Sequence, residues 1–319
     1  MIFKTYIPKY FCREYTEVKE SSLQLAMFMA VVLGLKPLMD DWIPINKLRE
    51  FKKICRNLGL KVREDVIFSN IAKENAPDNI LGREYLTTTS AYGYPADSGK
   101  GGEVHVFISK CKKHLNYGMW YPVIIRDRVI FQPRADSLKY GYMLGYPECC
   151  IKFFRKYNDW LRYSNLYQAY INTKDTPSFL CNPFLKDTPF SYIYHMPCSY
   201  SCHETIKLAG KLRFEINKRE PGYVKLADEY LQMPFLVFYE KKYYCFKGEL
   251  KNNLLEYKKV YFCSPDKMND IYGEFFRNAN SLELQGRCII LYRDKNMIQS
   301  IDIPLQNFAP EYPFLTQFR

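Results

Sequence analysis

Hydrophobic positions in the first part of the chain follow a helical period. The apolar segment Leu23–Leu35 predicts a buried helix, because a bilayer span needs roughly 20 such residues. A second helix is predicted after Pro44–Asn46, closed by Gly59. Asp40 and Asp41, between the two helices, are interpreted as a solvated turn or a helix cap. The apolar face of the second helix comprises Leu48, Phe51, Ile54, Cys55 and Leu58.

Apolar and polar positions then alternate, as is typical of strands. Val62–Phe68 predicts one short strand, and Val104–Ile108 predicts another. Two apolar triplets, Val123–Ile125 and Val129–Phe131, flank a charged turn and predict a tight hairpin. A small sheet is therefore expected in this part of the chain.

The pattern returns to a helical period further on and changes again near residue 234. Cys149 to about Tyr170 and Ser199 to about Lys218 are predicted to be helical. After Pro234 the apolar runs become short and strand-like, with one helix at about Pro265–Arg277. The strand-like runs are Phe235–Tyr239, Tyr243–Phe246, Tyr257–Cys263, Leu282–Leu284, Cys288–Tyr292 and Met297–Ile303.

These patterns predict an α+β protein in two domains. Charge, proline and glycine meet at Glu220–Gly222, which predicts a boundary there. Residues 1–220 would form a helix-rich α/β domain with a small sheet, which carries the cysteine motifs. Residues 221–319 would form a small, mainly antiparallel β domain.

Composition narrows the class of protein. An apolar fraction of 47% over 319 residues excludes a disordered chain. Eleven cysteines are too few per residue for a secreted disulfide scaffold, and five of them fall between Cys149 and Cys202. The first 20 residues lack the order of a signal peptide. We therefore expect a cytoplasmic metalloprotein or thiol protein without a membrane span.

The net charge of +12 is compatible with RNA, with phosphorylated substrates or with a charged surface alone. Two lysine pairs, Lys241–Lys242 and Lys258–Lys259, alternate with tyrosines that could stack on single-stranded RNA. Lysines at hairpin edges also protect strands from aggregation, so the same pattern fits a plain sheet.

The first cysteine motif is Leu144-Gly-Tyr-Pro-Glu-Cys-Cys150. Pro147 suits the first position of a helix and Glu148 suits its positive end, which places Cys149 and Cys150 in the first turn. Partial positive charge at that end favours the thiolate form. Adjacent helical residues diverge by about 100°, so both thiols would face one centre only in an irregular turn.

The second motif runs from His195 to His203 and contains Cys198 and Cys202. Ser199 is the expected N-cap of the following helix, with the two cysteines beside its start. If the two helix starts converge, four thiolates surround one point. Such a set is what an iron-sulfur cluster requires, and we expect a [4Fe-4S] cluster held by Cys149, Cys150, Cys198 and Cys202.

Alternatives remain open at this stage. Zinc is possible, with His195 or His203 as a further ligand. The radical SAM pattern is disfavoured because Thr205 stands where it needs a cysteine. A further alternative has no metal and makes Cys149 or Cys150 a reactive thiol. His195 is the candidate catalytic group or proton donor, and the role of Cys181 is undecided.

The two cysteine motifs resemble those of an uncharacterised archaeal and bacterial family, known only as domain of unknown function 483. That family's pattern pairs vicinal cysteines with a His-x-Pro-Cys-Ser-x-x-Cys element, matched here by His195, Pro197, Cys198, Ser199 and Cys202. The resemblance covers residues 25–212 loosely. It implies a shared site but no particular reaction.

The sequence thus predicts a metal-binding protein. The leading hypothesis is an iron-sulfur enzyme of sulfur transfer or redox chemistry, acting on a small molecule or a tRNA base. One alternative is a zinc-stabilised RNA-binding or scaffold protein without catalytic activity, and the other is a metal-free thiol enzyme.

Overall fold

The computed structural model divides into two units, Ile7–Tyr146 and Pro147–Arg319, the second of which also takes Met1–Tyr6. The predicted α+β class is confirmed, since helices accompany two larger antiparallel sheets and a two-stranded one. Among the described residues, no helix has the length and apolarity needed to cross a bilayer. The described residues are 6–20, 23–70, 93–95, 103–115, 123–125, 128–131, 137–157, 164–186, 188–239, 242–262, 271–304 and 312–319.

The unit Ile7–Tyr146 is built on a four-stranded antiparallel sheet with the order β1-β4-β2-β3. A separate hairpin pairs β5 with β6, as predicted. The helices are α1 Arg13–Lys19, α2 Leu25–Val32, α3 Leu48–Asn57 and α4 Ser137–Met143. The strands are β1 Met39–Pro44, β2 Lys61–Asn70, β3 Gly93–Pro95, β4 Glu103–Ser109, β5 Val123–Ile125 and β6 Arg128–Phe131.

The aspartates between the first two predicted helices lie on strand β1, so their interpretation as a solvated turn or helix cap is wrong. Asp41 is buried and accepts hydrogen bonds from Tyr15 Oη at 2.6 Å and from Lys19 Nζ at 2.8 Å. Asp40 accepts from Tyr140 Oη at 2.8 Å and lies 3.2 Å from His105 Nε2. Partners from other elements satisfy both carboxylates, which local sequence patterns do not reveal.

The unit that contains Pro147–Arg319 carries a seven-stranded antiparallel sheet with the order β12-β11-β10-β9-β8-β7-β13. Six strands, β7 to β12, pair in the order in which they follow along the chain, with α9 between β9 and β10, and the last strand returns to the β7 edge. The helices are α5 Glu148–Lys156, α6 Asn165–Ile171, α7 His203–Asn217, α8 Pro221–Leu231 and α9 Ile271–Asn278. The strands are β7 Pro234–Tyr239, β8 Lys242–Lys251, β9 Leu254–Phe262, β10 Ser281–Gln285, β11 Cys288–Arg293, β12 Asn296–Asp302 and β13 Phe314–Gln317.

The boundary predicted between residues 220 and 221 differs from this division. Pro221 opens α8 as its first residue, and buried Glu220 precedes it and accepts from Tyr6 Oη at 2.9 Å. The end of the chain also returns to the central region, where Arg319 N donates to Pro177 O at 2.7 Å. Phe318 is fully buried there, 5.1 Å from the Tyr200 ring. The sheet and the cysteine-bearing helices therefore belong to one unit.

Candidate metal centre

The start of α5 presents two thiols. Pro147 is the extended N-cap, not the first helical residue as predicted, and Glu148 takes that position. Cys149 and Cys150 follow as the second and third residues, so both lie in the first turn as expected. Cys149 is exposed and Cys150 is buried. The helix also ends earlier than predicted, at Lys156, and a new helix begins at Asn165 with Ser164 as its N-cap.

The second motif forms a turn followed by a helix start. The predicted N-cap was Ser199, but α7 begins at His203 with Cys202 as the N-cap. Cys202 N donates to Ser199 O at 3.2 Å, and the first helical bond runs from Ile206 N to Cys202 O at 2.9 Å. Residues 199–202, which the sequence pattern predicts to be helical, form a turn instead, because tertiary contacts hold their backbone.

Tyr200 is the anchor of that turn. Its side chain is fully buried, and its hydroxyl donates to Leu166 O at 2.9 Å. Its backbone N–H donates to Thr173 Oγ1 at 2.8 Å, while Asn172 Nδ2 donates to Cys198 O at 3.1 Å. The C-terminal end of α6 therefore fixes the backbone that carries Cys198 and Cys202.

All four predicted ligand residues come together. The Sγ atoms of Cys149, Cys150, Cys198 and Cys202 lie within 4.8 Å of one another and could hold a metal ion. Cys149 and Cys150 are 3.8 Å apart at Sγ, although α5 is a regular helix. The expectation that vicinal thiols need an irregular turn is therefore wrong. Rotation about each Cα–Cβ bond turns the two sulfurs toward each other.

Two further candidates lie outside this group of sulfurs. Cys181 is fully buried beside it, and its thiol donates to Cys202 O at 3.6 Å instead of facing the other sulfurs. His203 points away, because its side chain is 85% exposed and its Nδ1 lies 3.2 Å from Glu204 Oε1. Neither residue belongs to the four-sulfur set.

His195 reaches the cluster through Thr205, a residue to which the sequence assigned no role in the site. Its Nε2 lies 3.0 Å from Thr205 Oγ1, and that hydroxyl lies 3.3 Å from Cys150 Sγ. Thr205 is fully buried and His195 is nearly so. The spacing of three residues from Cys202 to Thr205 was an available signal, since such pairs share one side of a helix.

The pKa values of the clustered cysteines shift in different directions. Hydrogen bonds from Cys150 and Cys198 keep the pKa of Cys202 far below its ordinary value, and the Thr205 hydroxyl adds to this effect. Burial and the charge on Cys202 raise the pKa of Cys149. Hydrogen bonds with Cys198 and Cys202 raise the pKa of Cys150. The thiolate expected at the start of α5 is therefore favoured at the start of α7 instead.

Comparison with known proteins adds no relative. No family model, curated protein or solved structure matches this chain. The resemblance of the cysteine motifs to domain of unknown function 483 stays a prediction.

Four of the tyrosines that alternate with lysines do not expose their rings for stacking. Tyr243, Tyr244, Tyr257 and Tyr261 are all buried in the seven-stranded unit. Lys242 Nζ lies 4.5 Å above the Tyr272 ring, so its cation faces an aromatic of the same chain. Lys258 and Lys259 are exposed, whereas Lys241 lies outside the described residues. Phosphate binding by these lysines stays a prediction.

Proposed function

We propose that Cys149, Cys150, Cys198 and Cys202 bind a single Zn²⁺ as a structural centre that joins the start of α5 to the start of α7. The separations between the sulfurs support this proposal most directly. Three pairs lie 3.6, 3.7 and 3.8 Å apart. Tetrahedral zinc with Zn–S bonds of about 2.3 Å requires sulfurs about 3.8 Å apart.

The same distances disfavour the [4Fe-4S] cluster predicted from the motifs. Thiolates that bind such a cluster stand about 6 Å apart, because a cube of iron and sulfide separates them. The largest separation in this site is within 4.8 Å. A cluster would require α5 and the Cys198–Cys202 turn to move apart, against the anchoring of that turn by Tyr200.

A structural role follows from the ligand count. Four cysteines complete a tetrahedron, whereas catalytic zinc keeps one position for water or substrate. The metal would supply a cross-link between the start of α5 and the start of α7. Zinc with four thiolates carries a net charge of about −2, which the positive ends of α5 and α7 partly offset. Sulfur transfer or redox chemistry on a small molecule or a tRNA base stays a prediction without support from this geometry.

Metal analysis of protein purified without oxygen tests the proposal. Zinc, iron and acid-labile sulfide are measured on the native chain and on two variants. Cys150→Ser removes a central sulfur, and Cys181→Ala changes a buried cysteine outside the set. We expect about one zinc per chain without sulfide, reduced zinc in Cys150→Ser and full zinc in Cys181→Ala. Iron with stoichiometric sulfide would contradict the proposal and would favour the iron-sulfur enzyme instead.

A further inference from the structure

A buried hydroxyl connects the cysteine cluster to a buried imidazole. Thr205 Oγ1 lies between Cys150 Sγ at 3.3 Å and His195 Nε2 at 3.0 Å. Thr205 occupies the first turn of α7, three residues after the Cys202 N-cap. The hydroxyl therefore contacts a sulfur from α5 while its backbone belongs to α7.

We propose that Thr205 is a positioning residue for the metal centre, and that hydrogen bonds run from His195 Nε2–H to Thr205 Oγ1 and from Thr205 Oγ1–H to Cys150 Sγ. This inference rests on the proposed zinc site. It assigns His195 a role through Thr205 and not in catalysis, and it fixes which ring nitrogen carries the proton.

The direction of these two hydrogen bonds follows from the number of protons available. A threonine hydroxyl has one proton to donate, while its oxygen accepts. A metal-bound thiolate has no proton, so Cys150 only accepts. Cys202, which the same hydroxyl contacts, also only accepts. The hydroxyl proton must therefore go to a thiolate, here Cys150 at 3.3 Å, and Thr205 has none left for His195. His195 can then bond to Thr205 only by donating from Nε2.

The expected consequence is a firmer metal site. A hydrogen bond from outside the ligand set orients a metal ligand, and its loss typically lowers metal affinity by about 10- to 100-fold. Valine has nearly the shape of threonine but cannot donate, so Thr205→Val removes the bond with little change in volume. Serine retains the hydroxyl, and Thr205→Ser should restore most of the affinity.

The chain offers a matched control for that substitution. Thr316 is also buried in the same unit, and its hydroxyl has no hydrogen-bond partner among the described residues. Thr316→Val is therefore the same chemical change at a site without a role in metal binding. We expect it to leave zinc affinity unchanged.

Zinc affinity is measured by competition with a chromophoric chelator, with circular dichroism to verify the fold of each variant. We expect Thr205→Val to bind zinc about 10- to 100-fold more weakly, Thr205→Ser within a few-fold of the native chain, and Thr316→Val like the native chain. Equal affinity in native and Thr205→Val chains would overturn this inference alone. Absence of zinc from the native chain would overturn the proposed function as well.

A second measurement needs no threonine variant and stands if Thr205→Val fails to fold. Long-range ¹⁵N–¹H spectra of the zinc-loaded native chain report the tautomer of each of its four histidines. The His195 signals are assigned by their loss in His195→Gln. Protonation at Nε2 is expected. An imidazole protonated at Nδ1 alone would overturn the proposed direction of the hydrogen bond from His195 to Thr205.

Discussion

Cys150 and Cys202 lie 3.6 Å apart at Sγ although 52 positions separate them in the sequence. Both residues are buried, so the surrounding packing restricts the movement of either sulfur away from the other. A metal bound between them closes a long segment of chain, so its binding free energy contributes directly to folding.

Metal removal should therefore destabilise the unit that contains Pro147–Arg319. With free zinc at about 1,000 times its dissociation constant, zinc binding to the folded state adds about 4 kcal/mol to the free energy of unfolding. Calorimetry before and after chelation should show a lower melting temperature, restored when zinc is added back. An unchanged melting temperature after verified metal removal would mean that the centre has no structural role.

Lys36 predicts a pH-dependent change in stability. Burial lowers its pKa from 10.5 to about 8, although the charge of Asp40 opposes the shift. Below pH 8 both folded and unfolded states hold the proton, and the folded state bears the cost of a buried charge. Between about pH 8 and 10.5 the unfolded chain binds more protons, so stability rises with pH.

Lys36→Met should remove that cost. We expect this variant to be about 3 kcal/mol more stable than the native chain at pH 7, with the difference shrinking toward pH 10. Urea unfolding of both chains at several pH values provides the test. A variant less stable by a constant amount at every pH would show that the amine is needed for packing or pairing.

The buried Asp41 carboxylate depends on Lys19. Their atoms are 2.8 Å apart, and both side chains are largely buried. Lys19→Met would leave a buried charge without its cation, which typically costs about 3–5 kcal/mol. The exposed pair of Arg13 and Glu17 provides the control, because solvent screens this pair and Arg13→Ala should cost far less than Lys19→Met. Similar losses in the two variants, measured by chemical unfolding, would contradict this ranking.

Gly248 permits a close approach between β8 and β9. A Cβ atom at this position would overlap Glu256 O and lie 2.7 Å from Tyr257 Cα, next to a register shift. We expect Gly248→Ala to destabilise the sheet by at least about 2 kcal/mol. At Gly286 a Cβ meets nothing within 4 Å, and asparagine tolerates its φ of +60°. Gly286→Asn should therefore be mild, and a larger loss there than at Gly248 would refute the argument.

Periodicity predicted much of the fold. The buried helix α2, the face of α3 and the hairpins after Pro234 all carry local patterns that the structure follows. The return of β13 to β7 is not visible in such patterns, because it depends on contacts between distant positions. Glu220–Gly222 has the composition of a linker, yet Pro221 begins α8.

The four cysteines were predictable because two thiol pairs at helix starts are an uncommon pattern. Their arrangement in space was not predictable from the sequence. Tyr200 is held in the core by α6, which delays the start of α7 and makes Cys202 the N-cap. The preference for zinc over a cluster depends on distances between sulfurs, and sequence spacing contains no such information.

X-ray absorption at the zinc edge of the loaded native chain tests the central claim most directly. A single shell of four sulfurs at about 2.3 Å, reduced to three sulfurs in Cys149→Ser, is the predicted result. Nitrogen or oxygen scatterers in the first shell of the native chain, or no zinc in a chain that instead yields an iron edge with iron–iron scattering, would contradict it.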